Sequence, residues 1–226
     1  MRRLLFIAIV TSLTAACKKD SFQLSYPSVY YANGIRDIQP LRAFTVNGEI
    51  KDEAVTARIE TSNSFFLTPE ALKSYNPVFD SIQFSSASEA TLIGVSNSYY
   101  RDVKVSQGGN DLSLTALSAD PVERDTTVAW QIFLSSLYYP ALYSNKRDPS
   151  GPFYWYDFTE QYFAKLTSSN EIIIPSMVIM VPVPPVSTLI KSSINNRFNP
   201  GFNFRLLGSK DTFVVREYSL IMQKVH

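Results

Sequence analysis

The chain of 226 residues carries one cysteine, Cys17, and one histidine, His226, at its last position. A lone cysteine excludes an internal disulfide framework and, with a lone histidine, the clustered ligands that zinc sites need. A terminal imidazole lacks the neighbours that orient catalytic or metal-bound histidines, which speaks against Ser-His-Asp and Cys-His chemistry. No phosphate-binding loop, no dinucleotide glycine pattern and no Asp-rich calcium loop occurs, so no cofactor and no metal is expected. A basic excess is also missing. Of the 21 Lys and Arg residues, Arg2 and Arg3 lie in the first three positions; the remaining 19 are scattered and face 20 Asp and Glu. Nucleic acid is therefore not an expected partner. Glycine is scarce at 8 residues, and no apolar run reaches the ~20 residues of a membrane-spanning helix.

What is present is apolar and aromatic. Hydrophobic residues make up 45% and charged residues 18%, with 13 Tyr and 15 Phe, the composition of a chain that buries a core. The first residues follow the order of a secretory leader: Arg2-Arg3, the apolar run Leu4 to Leu13, then the small residues Thr14-Ala15-Ala16. The stretch Leu13-Thr14-Ala15-Ala16-Cys17 resembles the lipobox of bacterial lipoproteins, with Thr14 where that pattern has Leu, Val or Ile. Lys18-Lys19-Asp20 is similar to the start of outer-membrane lipoproteins of the Bacteroidetes type. The resemblance implies that Cys17 is lipidated and becomes the new N-terminus. It also implies a lipid-anchored outer-membrane location, on the periplasmic face or the cell surface. The expected organisation is a signal peptide over 1–16, the lipidated cysteine and a short tether over 17–24, and a β domain over 25–226, with a possible sub-boundary near 119–127.

From Tyr26 onward the pattern is that of strands. Asn33-Gly34, Asn47-Gly48 and Gly109-Asn110 are tight-turn dipeptides. Val55, Ala57 and Ile59 alternate with Thr56, Arg58 and Glu60, as in a half-buried strand. Residues 81–85 with 90–95, and 99–105 with 112–117, read as hairpins. Thr68-Pro69-Glu70 predicts a short helix over 69–75, since Thr is a good N-cap and Pro suits the first helical position. Residues 128–139 fit a helical stripe or a strand face; the β-branched start and the surroundings favour a strand. Residues 145–152 read as a long polar turn. The most apolar stretch, 171–190, reads as two strands broken at Pro175, either a core pair or a surface patch for lipid or a partner. A final hairpin over 202–225 closes the sheet, so C-terminal truncation is expected to be poorly tolerated. The fold class predicted is all-β, an antiparallel β-sandwich or β-barrel with one or two short helices. Residues 81–117 also resemble the meander of bacterial lipocalin-like proteins in rhythm, without the Gly-x-Trp signature of that family.

Few residues carry chemistry. Asp157 and Glu160, beside aromatic residues, are a carboxylate pair of the kind glycoside hydrolysis uses, though Asp157 equally suits a turn or the start of a helix over 159–166. The aromatic stretch 138–163 is either core or a binding surface. In a strand, neighbours point to opposite faces, so Phe153-Tyr154-Trp155-Tyr156 cannot all enter one core. Tyr154, Trp155, Tyr156 and Tyr143 are therefore the candidate ligand-binding residues, and Cys17 the lipidation site. The expected activity is binding or structural work without catalysis, for a glycan or an envelope protein partner. A lipocalin-like barrel carrying a small apolar ligand is the alternative, and a carboxylate-only glycoside hydrolase the third.

Overall fold

A computed structural model describes residues 21–62, 68–73, 79–94, 100–118, 120–124, 128–139, 142–147, 154–183 and 188–225. For 79, 120–124, 128–130, 142–147, 154–158, 182–183 and 188–193 the description is of backbone alone. The strands in chain order are β1 (Ser28–Arg36), β2 (Arg42–Thr45), β3 (Gly48–Glu49), β4 (Phe79–Phe84), β5 (Glu89–Gly94), β6 (Tyr100–Gly108) and β7 (Asp111–Ala116). They continue with β8 (Asp120–Arg124), β9 (Leu142–Arg147), β10 (Tyr154–Thr159), β11 (Gln161–Ser168), β12 (Glu171–Val183), β13 (Thr188–Ile194) and β14 (Phe213–Lys224). Three short helices are α1 (Glu53–Ser62), α2 (Pro69–Lys73) and α3 (Val128–Ser136).

Eight of these strands form a closed ring. Their order is β1-β4-β5-β6-β7-β11-β12-β14, and β14 returns to β1. Every pairing is antiparallel, and the ring follows chain order: the fold is an up-and-down barrel. Of the two architectures expected, the barrel is the one found, with three short helices among the described residues where one or two were expected.

The period-two pattern explains the core. Leu112, Leu114 and Ala116 of β7 point inward while Ser113 and Thr115 lie between them. Val103 and Val105 of β6, Tyr162, Ala164 and Leu166 of β11, and Ile172 and Ile174 of β12 do the same. With Tyr30, Ile82, Phe84, Leu92, Leu220 and Met222 they make one buried cluster inside the barrel. Tyr30 and Phe84 meet edge to face at 5.7 Å. One end is closed by tight hairpins and by the chain before β1: Phe22 N–H donates to Asn110 Oδ1 at 2.7 Å, Gln107 Nε2 donates to the Phe22 carbonyl, and Leu24 is buried in the barrel cluster. Residues 22–24, expected as part of a tether, therefore pack against the barrel.

Several expectations are corrected. Asn47-Gly48 does turn a hairpin, with Thr45 opposite Gly48. Asn33-Gly34 instead lies within β1, where the register against β14 slips between Ala32 and Ile35; Gly34 takes φ +109°, as a bulge glycine does. Residues 53–62 are helix α1, not a strand. Asp52 Oδ1 accepts from the N–H groups of Ala54 and Val55, a cap that starts a helix, and the 2-residue and 4-residue periods cannot be told apart over so short a run. Thr68 caps α2 as expected, its Oγ1 accepting from Ala71 N–H at 3.1 Å; positions 74 and 75 of the expected helix lie outside the described residues. Residues 128–136 are helix α3. Its last carbonyls are satisfied from far away, Ser135 by Asn199 Nδ2 and Ser136 by Asn199 N–H, so tertiary contact overrides β propensity.

The boundary expected near 119–127 holds β8, and the turn expected over 145–152 begins in β9. The helix proposed over 159–166 is part of β10 and β11. Pro175 does not break β12. It pairs with Ser219, and on its other flank β11 has ended at Ile173 while β13 begins at Met177, so a missing N–H costs least there. Ile172, Ile174 and 177–181 are buried, which makes 172–181 core rather than a surface patch; the side chains of 182–190 lie outside what is described. At the C-terminus β14 is a barrel strand, but 204–206 form a 3₁₀ turn, so no final hairpin exists.

The inward rows carry the stability. Leu114→Ala or Leu166→Ala should cost ~2–5 kcal/mol in denaturant unfolding. Leu117→Ala, at a position 64% exposed, should stay within ~0.5 kcal/mol of the parent.

Candidate functional site at the barrel rim

The two ends of the barrel differ. At the closed end the links are short: 85–88, 109–110 and 169–170. At the opposite rim three long insertions leave the ring: 37–78, 117–160 and 184–212. Loops on a rigid scaffold are where binding residues collect.

The second insertion carries the candidate aromatics. The ribbon of β7 and β11 runs on past the rim as β8 and β10, joined by Ala116 N–H to the Glu160 carbonyl at 2.9 Å. β9 adds to the free side of β10, giving the three-stranded sheet β8-β10-β9. Tyr154 stands opposite Arg124 and Arg147, Trp155 opposite Glu123 and Lys146, and Tyr156 opposite Val122 and Asn145. Tyr143 stands opposite Phe158. Strand alternation therefore puts positions 143, 154 and 156 on one side of the sheet and position 155 on the other. The structure brings all four candidates to one small sheet but splits them between its faces. Their side chains, Phe153 and Cys17 lie outside what is described.

Of the carboxylate pair, Glu160 is described with its side chain and Asp157 by its backbone alone. Asp157 is a β10 position opposite Pro121 and Ser144. Glu160 is engaged by the ring: Tyr162 Oη donates to its Oε2 at 2.7 Å, and Arg101 Nε lies 3.6 Å from the same oxygen. Among the described residues no group of three or more His, Cys, Asp or Glu is placed to hold a metal ion, and no helix is long and apolar enough to cross a membrane.

Two packed clusters hold the rim. On the outer face Phe44, Phe198, Phe202 and Phe213 form an aromatic knot, Phe202 to Phe213 at 4.6 Å and Phe44 to Phe198 at 5.1 Å. Ile132 and Leu137, from α3 and just beyond it, pack into the same cluster. The Arg42 guanidinium lies 5.0 Å from the rings of both Phe44 and Phe198. Its Nε donates to Glu49 Oε1 at 2.6 Å, and Lys51 reaches the other oxygen. These bonds, Arg42 foremost, hold the Glu49 carboxyl at about 2, against the opposing effect of burial. On the inward face Leu41, Leu72, Val178, Met180 and Tyr218 form a second cluster, and beside them Arg216 pairs with Glu60. Sequence reasoning missed this pair. Its one signal was a charge within Val214-Val215-Arg216, on the inward row of a strand otherwise apolar there.

Comparisons of the chain with protein-family models, with curated proteins and with solved structures find no match.

A carboxyl held low in the folded state contributes stability above its ordinary pKa and loses it as the pH falls through the folded value. Stability should therefore decline between about pH 4.5 and about pH 2, with Glu49 contributing to the slope. Glu49→Gln should flatten that decline when unfolding is measured across the same range.

Proposed function

We propose that the chain is a lipid-anchored envelope protein, tethered through Cys17, whose barrel holds the β8-β10-β9 sheet away from the bilayer as a platform for a glycan or an envelope protein partner. The observation that carries this reading is the polarity of the barrel. The chain enters at the closed end, at Phe22 and Leu24, and all three long insertions leave from the opposite rim. Cys17 precedes Phe22 by so few residues that full extension spans roughly 18 Å. An anchor there keeps the closed end against the membrane and turns the rim outward. The register adds a ligand argument. Position 154 stands between positions 124 and 147 in the register, and Tyr with two Arg is a set of residue types that suits a sugar carrying acidic groups.

A second reading is a lipocalin-like carrier, with which the closed eight-stranded ring is compatible. The lower barrel is filled by Tyr30, Phe84, Leu92, Leu114 and Leu166, so a small apolar ligand has its place at the rim rather than at the barrel's centre.

Cys17→Ala should move the protein from the membrane fraction to the soluble fraction; unchanged fractionation overturns the anchor. For the platform, the paired variant Tyr154→Ala/Tyr156→Ala and the single variant Trp155→Ala address opposite faces of the sheet. Retention on immobilised envelope glycan or in an envelope pull-down should fall for one of them while the melting temperature stays close to the parent's. Retention equal to the parent's in both removes the platform.

A further inference from the structure

Arg216 lies on the inward row of β14, between Val214 and Tyr218 and above Leu220 and Met222. Its side chain is 5% exposed. Nη1 donates to Glu60 Oε1 and Nη2 to Glu60 Oε2, both at 2.9 Å. This is the two-pronged fit by which a guanidinium recognises a carboxylate. Val178 of β12 stands directly opposite Arg216, and it shares one buried apolar cluster with Val214 and Tyr218 of β14, Leu41, Leu72 of α2 and Met180 of β12; the buried Ser176, opposite Tyr218, spends its hydroxyl on Asn195 Oδ1.

Glu60 belongs to α1, and that helix has no buried residue. Ile59 packs only partly against the inward cluster. Among the described residues the contacts that hold α1 over the rim are therefore few beside those of a barrel strand, and an element with few buried contacts opens at low cost. A buried ion pair is a poor source of stability, because desolvation offsets the attraction. What this pair supplies is a carboxylate-shaped site, lined by apolar side chains, beneath a removable cover.

We propose that Arg216 is the binding site for an amphipathic organic carboxylate, with Glu60 as its built-in occupant and α1 as the cover that leaves when the ligand replaces it. The incoming carboxylate takes both Nη atoms, and Glu60 returns to water. The apolar body of the ligand lies against Leu41, Leu72, Val178 and Met180. The exchange keeps the two charge-assisted bonds and adds apolar burial, which is the differential affinity that shifts α1 from closed to open. The site stands on the inward face of the rim, independently of the β8-β10-β9 platform.

Decanoate is the probe, and decanol, with the same chain and no charge, is the control. Titration calorimetry on the full chain should show decanoate binding well above decanol. Glu60→Ala removes the built-in competitor and should tighten decanoate binding about tenfold, since less of the protein is held in the closed state. Arg216→Gln should abolish the preference for decanoate. A readout on the unaltered chain covers the case in which a variant fails to fold: saturating decanoate should speed amide hydrogen exchange over 53–62 and leave β14 protected. Equal binding of decanoate and decanol, unchanged affinity in Glu60→Ala, or exchange over 53–62 that is unaltered or slowed by decanoate overturns the proposal.

Discussion

The pairing of β14 with both β1 and β12 is the constraint on which the rest depends. Without it the ring is an open sheet with two long edges, one at each end of the sequence. β14 meets β12 over a continuous run from Glu171 opposite Gln223 to Met180 opposite Val214. On its other side it meets β1 and then, where β1 has ended, β2. Every backbone group along β14 thus has a neighbour on each flank over most of its length, and closure removes the exposed edges that invite aggregation. The strand also reads as two halves. Leu220 and Met222 face the barrel interior, while residues from Phe213 to Tyr218 rise above it and split between the aromatic knot and the inward cluster.

That division explains how a small barrel carries so much at one end. Two ribbons outgrow the ring. One is β12 with β14, flanked by β13 and β2; the other is β7 with β11, prolonged as β8 and β10. Each needs covering once it leaves the ring. The outer face of the first is covered by α3 and the 198–207 segment through Phe198, Phe202 and Leu207, and its inward face by Leu41, α2 and α1. The rim is built from pieces far apart in sequence, which is why polar contacts there span long separations: Arg216 to Glu60, Tyr139 to Asn196, Ser135 to Asn199.

What was legible in the residues follows the same line. The alternation in Asp111–Ala116, the turn at Gly109-Asn110 and the cap at Thr68 are local, and local chemistry decides them. The all-β class follows from many such segments. α1 and α3 were misread because ten residues do not separate a helical from a strand period, and because α3 is settled by a loop some sixty residues later. β8 was hidden by Pro121 and its charges, which suit a loop until β10 arrives to pair with it. The candidate aromatics were found by composition, but their division between two faces needed the register. Arg216 and Glu60 are 156 positions apart, and nothing local announces their meeting.

The closed end brings the two ends of the described chain together. Lys224 Nζ donates to Ser25 Oγ at 2.6 Å, and Val225 N–H donates to the Val29 carbonyl. A reporter fused to the C-terminus therefore emerges beside the N-terminal strap, a barrel's length from the three insertions. Such a fusion leaves the rim unobstructed and senses the environment of the closed end. A label meant to follow the rim has to be placed within an insertion.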